Sequence, residues 1–250
     1  MGNMKLDVLA IGVHPDDVEL GCSGALINEV RKGKKTGIVD LTQGELGTRG
    51  TAETRYTEAA GAAKIMGAVV RENLKMRDGF FKNDEEHQLQ LIRAIRKYRP
   101  EVILGNALSD RHPDHGRAGH LIEDSAFLSG LIKVETFDDN GKPQEKWRPK
   151  YILHYIQDWY HEPDLIIDIS DSFPLKMKSI EAYTTQFHVK GDSGASKGPQ
   201  TYISTPDFLD SVVARARMLG KRIGVKYGEG FNSEKKIGIS SLEALLLIET

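Results

Sequence analysis

Only one cysteine and two tryptophans occur in the 250 residues, and no apolar run approaches the roughly 18 residues of a membrane span. The lone thiol, Cys22, forms no intrachain disulfide and builds no thiolate metal centre, so a small buried apolar role is expected for it. Charge of either sign is not in excess. Lys and Arg number 34 against 36 Asp and Glu, for a net charge of -2, which argues against nucleic acid as the main partner. The opening MGNMKLDVLAIG enters a strand-like segment without a separate signal h-region. The reading is a cytoplasmic protein with no membrane contact. Familiar catalytic signatures are missing as well: His161-Glu162 is followed by Pro163 and makes no HExxH, and there is no Walker lysine loop, GxSxG elbow or CxxC pair. GELGTRG is not GxGxxG, so a nucleotide cofactor has little support. A small-molecule substrate remains as the default partner.

What is present is an alternation of short apolar runs with longer amphipathic segments, the pattern of βα units around a parallel sheet. The expected fold is α/β: a Rossmann-like, mostly parallel sheet flanked by helices in a three-layer α/β/α sandwich. LDVLAIGV, TGIVDL, VVRENLKM, EVILGNA, YILHYIQ and DLIIDIS read as strands. Glu19 through Arg31 reads as one helix, a second begins near Ala52 with Thr51 as its cap, and HQLQLIRAIRKY forms a third that Pro100 ends. SFPLKMKSIEAYTTQF and PDFLDSVVARARMLGKRIG are further helices. With no repeat, heptad run or composition break, residues 1–250 are read as one domain. It carries a surface excursion near 134–149 and a mobile active-site loop near 189–204.

Two short turns follow strands: His14-Pro15-Asp16-Asp17 and His112-Pro113-Asp114-His115. Either alone reads equally well as a helix cap or polar turn. Together they point elsewhere, because ligands in open α/β sheets bind at the carboxyl ends of the strands, where both turns converge. A catalytic zinc takes about three protein ligands and leaves a position open, and His14, Asp17 and His115 meet that need. Adjacent carboxylates in a partly buried turn repel unless a cation neutralises one. With Asp17 on the metal, Asp16 becomes the general base for the metal-bound water. His112 is placed to face an oxyanion or protonate a leaving amine, and Asp114 to orient an imidazole. Iron(II) and other divalent ions suit the same donors. A metal phosphoesterase, usually built on two ions, is the rival reading. His87, His120, His154 and His161 are read as structural or solvated, and Arg55 as either a surface helix residue or an anion clamp.

The residues HPDDVELGCSG, T-x-G-E-x-G-T-R-G with Arg55, HPDH and MLGKRIGVKYGEGF resemble the LmbE-like (PIG-L type) metal-dependent N-acetylglucosaminyl deacetylases over nearly the whole chain. YISTPDFLDSVVARARMLGKRIGVKYGEGF is similar to the branch that deacetylates N-acetyl-α-D-glucosaminyl L-malate in bacillithiol biosynthesis. The resemblance implies zinc on His14, Asp17 and His115, with Asp16 as base and His112 with Asp114 in support. It further implies that Arg55 contacts the sugar or an acidic aglycone, that Arg111 helps bind substrate, and that Tyr202 reaches the site. A sugar substrate and a homo-oligomer, hexameric in some relatives, complete the expectation. Deacetylation of another N-acetylglucosamine-containing sugar is the nearest alternative.

Overall fold

The computed structural model describes residues 4–188 and 198–245. Its sheet is built from β1 (Val8–Gly12), β2 (Thr36–Thr42), β3 (Val70–Met76), β4 (Val102–Gly105), β5 (Tyr151–Tyr155), β6 (Leu165–Asp168) and β7 (Gly228–Asn232). They lie in the order β3-β2-β1-β4-β5-β7-β6. Pairing is parallel from β3 across to β5, whereas β7 runs antiparallel to both of its neighbours. The expected mostly parallel sheet is therefore mixed at one edge.

β1 shows why the sheet is covered on both faces. Its five residues are all buried, and alternate side chains point opposite ways. Val8 and Ala10 pack on one face with side chains from α1 (Asp17–Gly21), α2 (Ser23–Arg31), α3 (Ala52–Met66), α6 (Phe173–Glu181) and α7 (Pro206–Arg222). Leu9 and Ile11 pack on the other with α4 (Glu85–Tyr98) and α5 (Pro113–Ser129). Three layers result. No described helix is long and apolar enough to cross a membrane.

Local chemistry sets the helix ends. Thr51 Oγ1 accepts from the Thr54 N–H at 3.2 Å and Thr54 Oγ1 from the Thr51 N–H at 2.7 Å, a reciprocal cap at the start of α3. Gly67, at φ 76°, ends it. The helix expected across Glu19 to Arg31 is instead two, broken at Cys22. The cause lies elsewhere in the chain: the buried Lys176 Nζ donates to the Glu19 and Leu20 carbonyls, each at 2.9 Å. Glu229 then restarts the helix, its carboxylate accepting from the Gly24 and Ala25 N–H groups at 3.0 and 2.8 Å. Lys176 and Glu229 also pair directly at 2.8 Å.

The surface excursion carries only an isolated bridge, Phe137 to Pro143, and the buried Arg96 fastens its start by donating to the carbonyls of Leu131 and Val134. Of the loop expected near 189–204, residues 189–197 lie outside the described residues; its end forms a short 3-10 turn at Tyr202–Ser204.

Order reverses at β1. The chain moves from β1 to β2 and β3 on one side, then crosses to β4 and β5 on the other. The segment after β1 enters α1 on one face and the segment after β4 enters α5 on the opposite face, so a crevice opens between the two exits. α5 sits very close to the β4 exit, because Gly119 has no side chain: a Cβ there would lie 2.8 Å from the Ala107 carbonyl oxygen and 3.0 Å from that of Asn106. Gly119→Ala should therefore displace α5 and lower stability by about 1–3 kcal/mol, read as a fall in the urea midpoint. An unchanged midpoint would show that the helix accommodates the methyl without strain.

Candidate active site

The two turns meet in this crevice around the carboxylate of Asp17. Its Oδ2 accepts from the main-chain N–H groups of Val13 and His14 and from Asn106 Nδ2, each at 3.0 Å. Oδ1 accepts from Gln157 Nε2 at 2.9 Å and faces His115 Nε2 at 3.3 Å. Asn106 Nδ2 also donates to Gln157 Oε1 at 2.8 Å, which ties the two amides together. Burial alone would raise the Asp17 pKa; the imidazoles of His115 and His14 and the His14 N–H outweigh it and hold the carboxyl well below its usual range.

Each imidazole spends one nitrogen on a carboxylate and turns the other toward Asp17. His115 Nδ1 donates to Asp110 Oδ2 at 2.6 Å, and Asp110 Oδ1 is fixed in turn by the N–H groups of Asp158 and Trp159 at 3.2 and 2.7 Å. His14 Nε2 donates to Asp78 Oδ1 at 3.1 Å and lies 3.7 Å from Asp114 Oδ2, while its Nδ1 stands 3.8 Å from Asp17 Oδ2. Burial lowers the pKa of both rings, but carboxylates dominate: Asp114, Asp78 and Asp17 raise His14 to about 10, and Asp17 and Asp110 raise His115 to about 9. Such an excess of negative charge around two imidazoles suits a divalent cation, and a carboxylate behind each ring is the usual way of fixing a ligand nitrogen.

Donor atoms group in more than one way. Nitrogens of His14, His112 and His115 lie within 4.8 Å of one another, and so do the donors of His14, Asp78 and Asp114. In the second group the carboxylates also accept hydrogen bonds, Asp78 from the Leu46 N–H at 3.0 Å and Asp114 from the Gly79 N–H at 2.9 Å and Arg117 Nη1 at 2.5 Å. His112 caps α5, its Nδ1 accepting from the Asp114 N–H at 3.2 Å. Capping and chemistry are thus compatible in HPDH, since Nε2 keeps the ring proton and remains available. Burial and the neighbouring His14 and His115 lower the His112 pKa and favour its neutral form. Asp114 does not hold the His112 ring through its carboxylate, which is directed at His14, Gly79 and Arg117.

Asp16 differs from all of these. It has φ 128°, a conformation that L residues rarely adopt and that strained functional corners retain. Although it is the N-cap residue of α1, its side chain makes no capping hydrogen bond; Arg55 Nη2 stands 3.9 Å from Oδ2. Burial raises its pKa to about 7 against the opposing pull of Arg55. Arg55 is buried rather than on the surface. Nη2 donates to Gln186 Oε1, and the guanidinium packs where a Cβ on Gly44 (φ 64°) would sit 2.0 Å from Nη1. Its Nε has no partner among the described residues.

A cavity of about 480 Å³ opens over these groups, and Arg111, His112 and Tyr202 also line it. Arg111 Nε donates to Asp158 Oδ2 at 2.6 Å, Tyr202 OH donates to Asp158 Oδ1 at 3.0 Å, and the Arg111 guanidinium lies 4.3 Å from the Tyr202 ring centre. Of the residues singled out in the sequence for the site, all but Asp114 line this one space; Asp114 stands behind it, 3.7 Å from His14 Nε2. His154 is buried in β5, with Nδ1 2.6 Å from the Asn106 carbonyl oxygen. The sequence reading missed Asp78, Asn106, Asp110, Gln157 and Arg215. Asp110 alone carried a visible signal, as a carboxylate two residues before HPDH.

Comparison with known proteins places these features in context. The model of the PIG-L family, described as GlcNAc-PI de-N-acetylase, matches residues 9–126. The crystal structure of the conserved protein TT1542 from Thermus thermophilus is 33% identical, with a TM-score of 0.82, covering 94% of this chain and 97% of that one. Diacetylchitobiose deacetylase of Thermococcus kodakarensis is 26% identical over 190 residues, 72% of this chain and 70% of its own length. The probable N-acetyl-alpha-D-glucosaminyl L-malate deacetylase 2 of Bacillus subtilis is 26% identical over 203 residues, 73% and 84% respectively.

Removing a group that steadies a donor should loosen a bound ion. Asp110→Asn and Gln157→Leu are each expected to weaken divalent-metal binding by roughly 10- to 100-fold, measured on stripped protein against a chromogenic chelator. Wild-type affinity in both variants would mean that His115 and Asp17 hold their orientation without these partners.

Proposed function

We propose a function from one premise: this chain belongs to the PIG-L (GlcNAc-PI de-N-acetylase) family. It is a metal-dependent hydrolase that removes the acetyl group from an N-acetylglucosaminyl conjugate. The observation that carries this reading is the Asp16-Asp17 corner, where one carboxylate is fixed by four N–H donors between two tethered imidazoles and its neighbour is left without a hydrogen bond among the described residues. His14, Asp17 and His115 are the proposed ligands and zinc the proposed ion. When bound, it supplies Lewis acidity, easing deprotonation of water and polarising the acetyl carbonyl.

The remaining chemistry belongs to the chain. Asp16 accepts the proton of the attacking water, and its strained backbone aims the carboxylate into the cavity rather than at the α1 N-terminus. His112 keeps its proton on Nε2 because Nδ1 is occupied by the Asp114 N–H, so it can donate toward the developing oxyanion. The C–N bond then breaks, and the proton held by Asp16 is the one the departing amine requires. Acetate and a free glucosaminyl amine result. Arg55, Arg111 and Tyr202 are proposed to contact the substrate from the cavity wall.

For the substrate we propose N-acetyl-α-D-glucosaminyl L-malate, which would place the reaction in bacillithiol biosynthesis. Similarity to the Bacillus protein and the C-terminal resemblance support this. Similarity to the Thermococcus protein supports a second reading, a deacetylase of N-acetylated chitooligosaccharides. Acetate release from the malate conjugate, N-acetylglucosamine and diacetylchitobiose distinguishes the two; no chelator-sensitive release from any of them would refute both. Asp16→Asn should retain one metal per chain while losing turnover by roughly 100- to 10,000-fold. A variant with near-normal turnover would remove Asp16 from the role of base.

A further inference from the structure

Four aspartates and four arginines line the cavity, so their formal charges balance and a bound dication leaves the wall two charges positive. Where that surplus resides follows from the pairing. Arg55 faces Asp16 at 3.9 Å and Arg111 binds Asp158 at 2.6 Å, which accounts for two of each sign. Asp17 and Asp78 face the imidazoles and the proposed ion. Arg49 and Arg215 remain, without a carboxylate partner among the described residues. Arg49 uses its guanidinium on main-chain oxygens, with Nε donating to Thr185 at 2.7 Å and Nη1 to Pro199 at 3.3 Å. Arg215 is the less committed of the two: its sole hydrogen bond among the described residues runs from Nη1 to the Gln157 carbonyl oxygen.

Arg215 projects from α7, whose buried Val212, Ala216 and Leu219 anchor the helix against the body of the protein. Its contact with Gln157 puts the guanidinium beside the residue whose side chain holds Asp17, and next in the chain to Asp158 of the Arg111 and Tyr202 group. Burial lowers the guanidinium pKa and outweighs the opposing pull of Asp158, Asp110 and Glu229, none of which forms an ion pair with it among the described residues. Arginine in such a setting gains most from a planar, bidentate anion.

We infer that Arg215 is a specificity-determining residue that binds a carboxylate on the aglycone of the substrate. This rests on the deacetylase reading and deepens it: the arginines singled out earlier for substrate, Arg55 and Arg111, already face carboxylates of the chain, whereas Arg215 has no carboxylate partner among the described residues. The substrate class is an N-acetylglucosaminyl conjugate with a negatively charged aglycone.

The test compares N-acetylglucosaminyl malate with its dimethyl ester, which has nearly the same shape and no charge. Wild-type protein should prefer the acid in kcat/KM by roughly 100-fold, the scale expected for losing one partner of a buried charge pair. Arg215→Gln should abolish most of that preference through a higher KM for the acid, while ester turnover stays within about threefold of wild type. Arg215→Lys, which keeps the charge but not the fork, should restore part of the preference. An unchanged acid-to-ester ratio in Arg215→Gln, or an equal loss on both compounds, overturns the inference alone. Wild-type protein that releases acetate from neither compound but does so from diacetylchitobiose overturns the inference alone; release from none of the three overturns the deacetylase reading and the inference with it.

Discussion

β1 has parallel neighbours on both sides, and the chain leaves it toward one face of the sheet and leaves β4 toward the other. No main-chain bridge can cover the gap between two exits that diverge in this way. Side chains and free N–H groups at the strand ends are left facing a shared space, and a carboxylate placed there collects them. Asp17 does so with four donors drawn from β1's exit, β4's exit and β5's exit. The pocket, the tethering of both imidazoles and the isolation of Asp16 all follow from that one divergence.

The balance of forces at this corner also explains why neighbouring aspartates behave so differently. Asp17 is surrounded by N–H donors and imidazoles, which stabilise its charge; Asp16 is buried without a hydrogen bond among the described residues, and the pull of Arg55 offsets only part of that burial. Adjacent positions in the sequence thus present one carboxylate that is firmly ionised and one whose proton affinity is close to neutral. The positive φ at Asp16 turns its side chain away from the helix end that would otherwise bind it.

Much of this was legible in the residues. Apolar runs ending in HPDD and before HPDH marked two strand exits, Thr51 marked a helix start, and periodicity gave the order of most elements. What stayed hidden depends on partners far apart in the chain. Nothing near Asn106 or Gln157 signals that their amides meet 51 positions apart over Asp17. β7 was missed because two of its five residues are glycine, which weakens any strand pattern; both are required by packing, as a Cβ on Gly228 would lie 3.0 Å from the Gly220 nitrogen in α7 and one on Gly230 would lie 3.0 Å from Ile156. The break at Cys22 was equally invisible, since Lys176 and Glu229 impose it from outside.

That break sets an order on assembly. The first turn of α2 receives its counter-charge from Glu229, 205 positions later and on the last of the described strands. Until β7 slots between β5 and β6, the junction that follows Asp16 and Asp17 has the Lys176 ammonium of α6 for its Glu19 and Leu20 carbonyls but lacks the carboxylate that caps α2 and neutralises that ammonium. A nascent chain therefore exposes both HPD turns before Glu229 is made, and the corner that joins them is completed only once β7 has emerged.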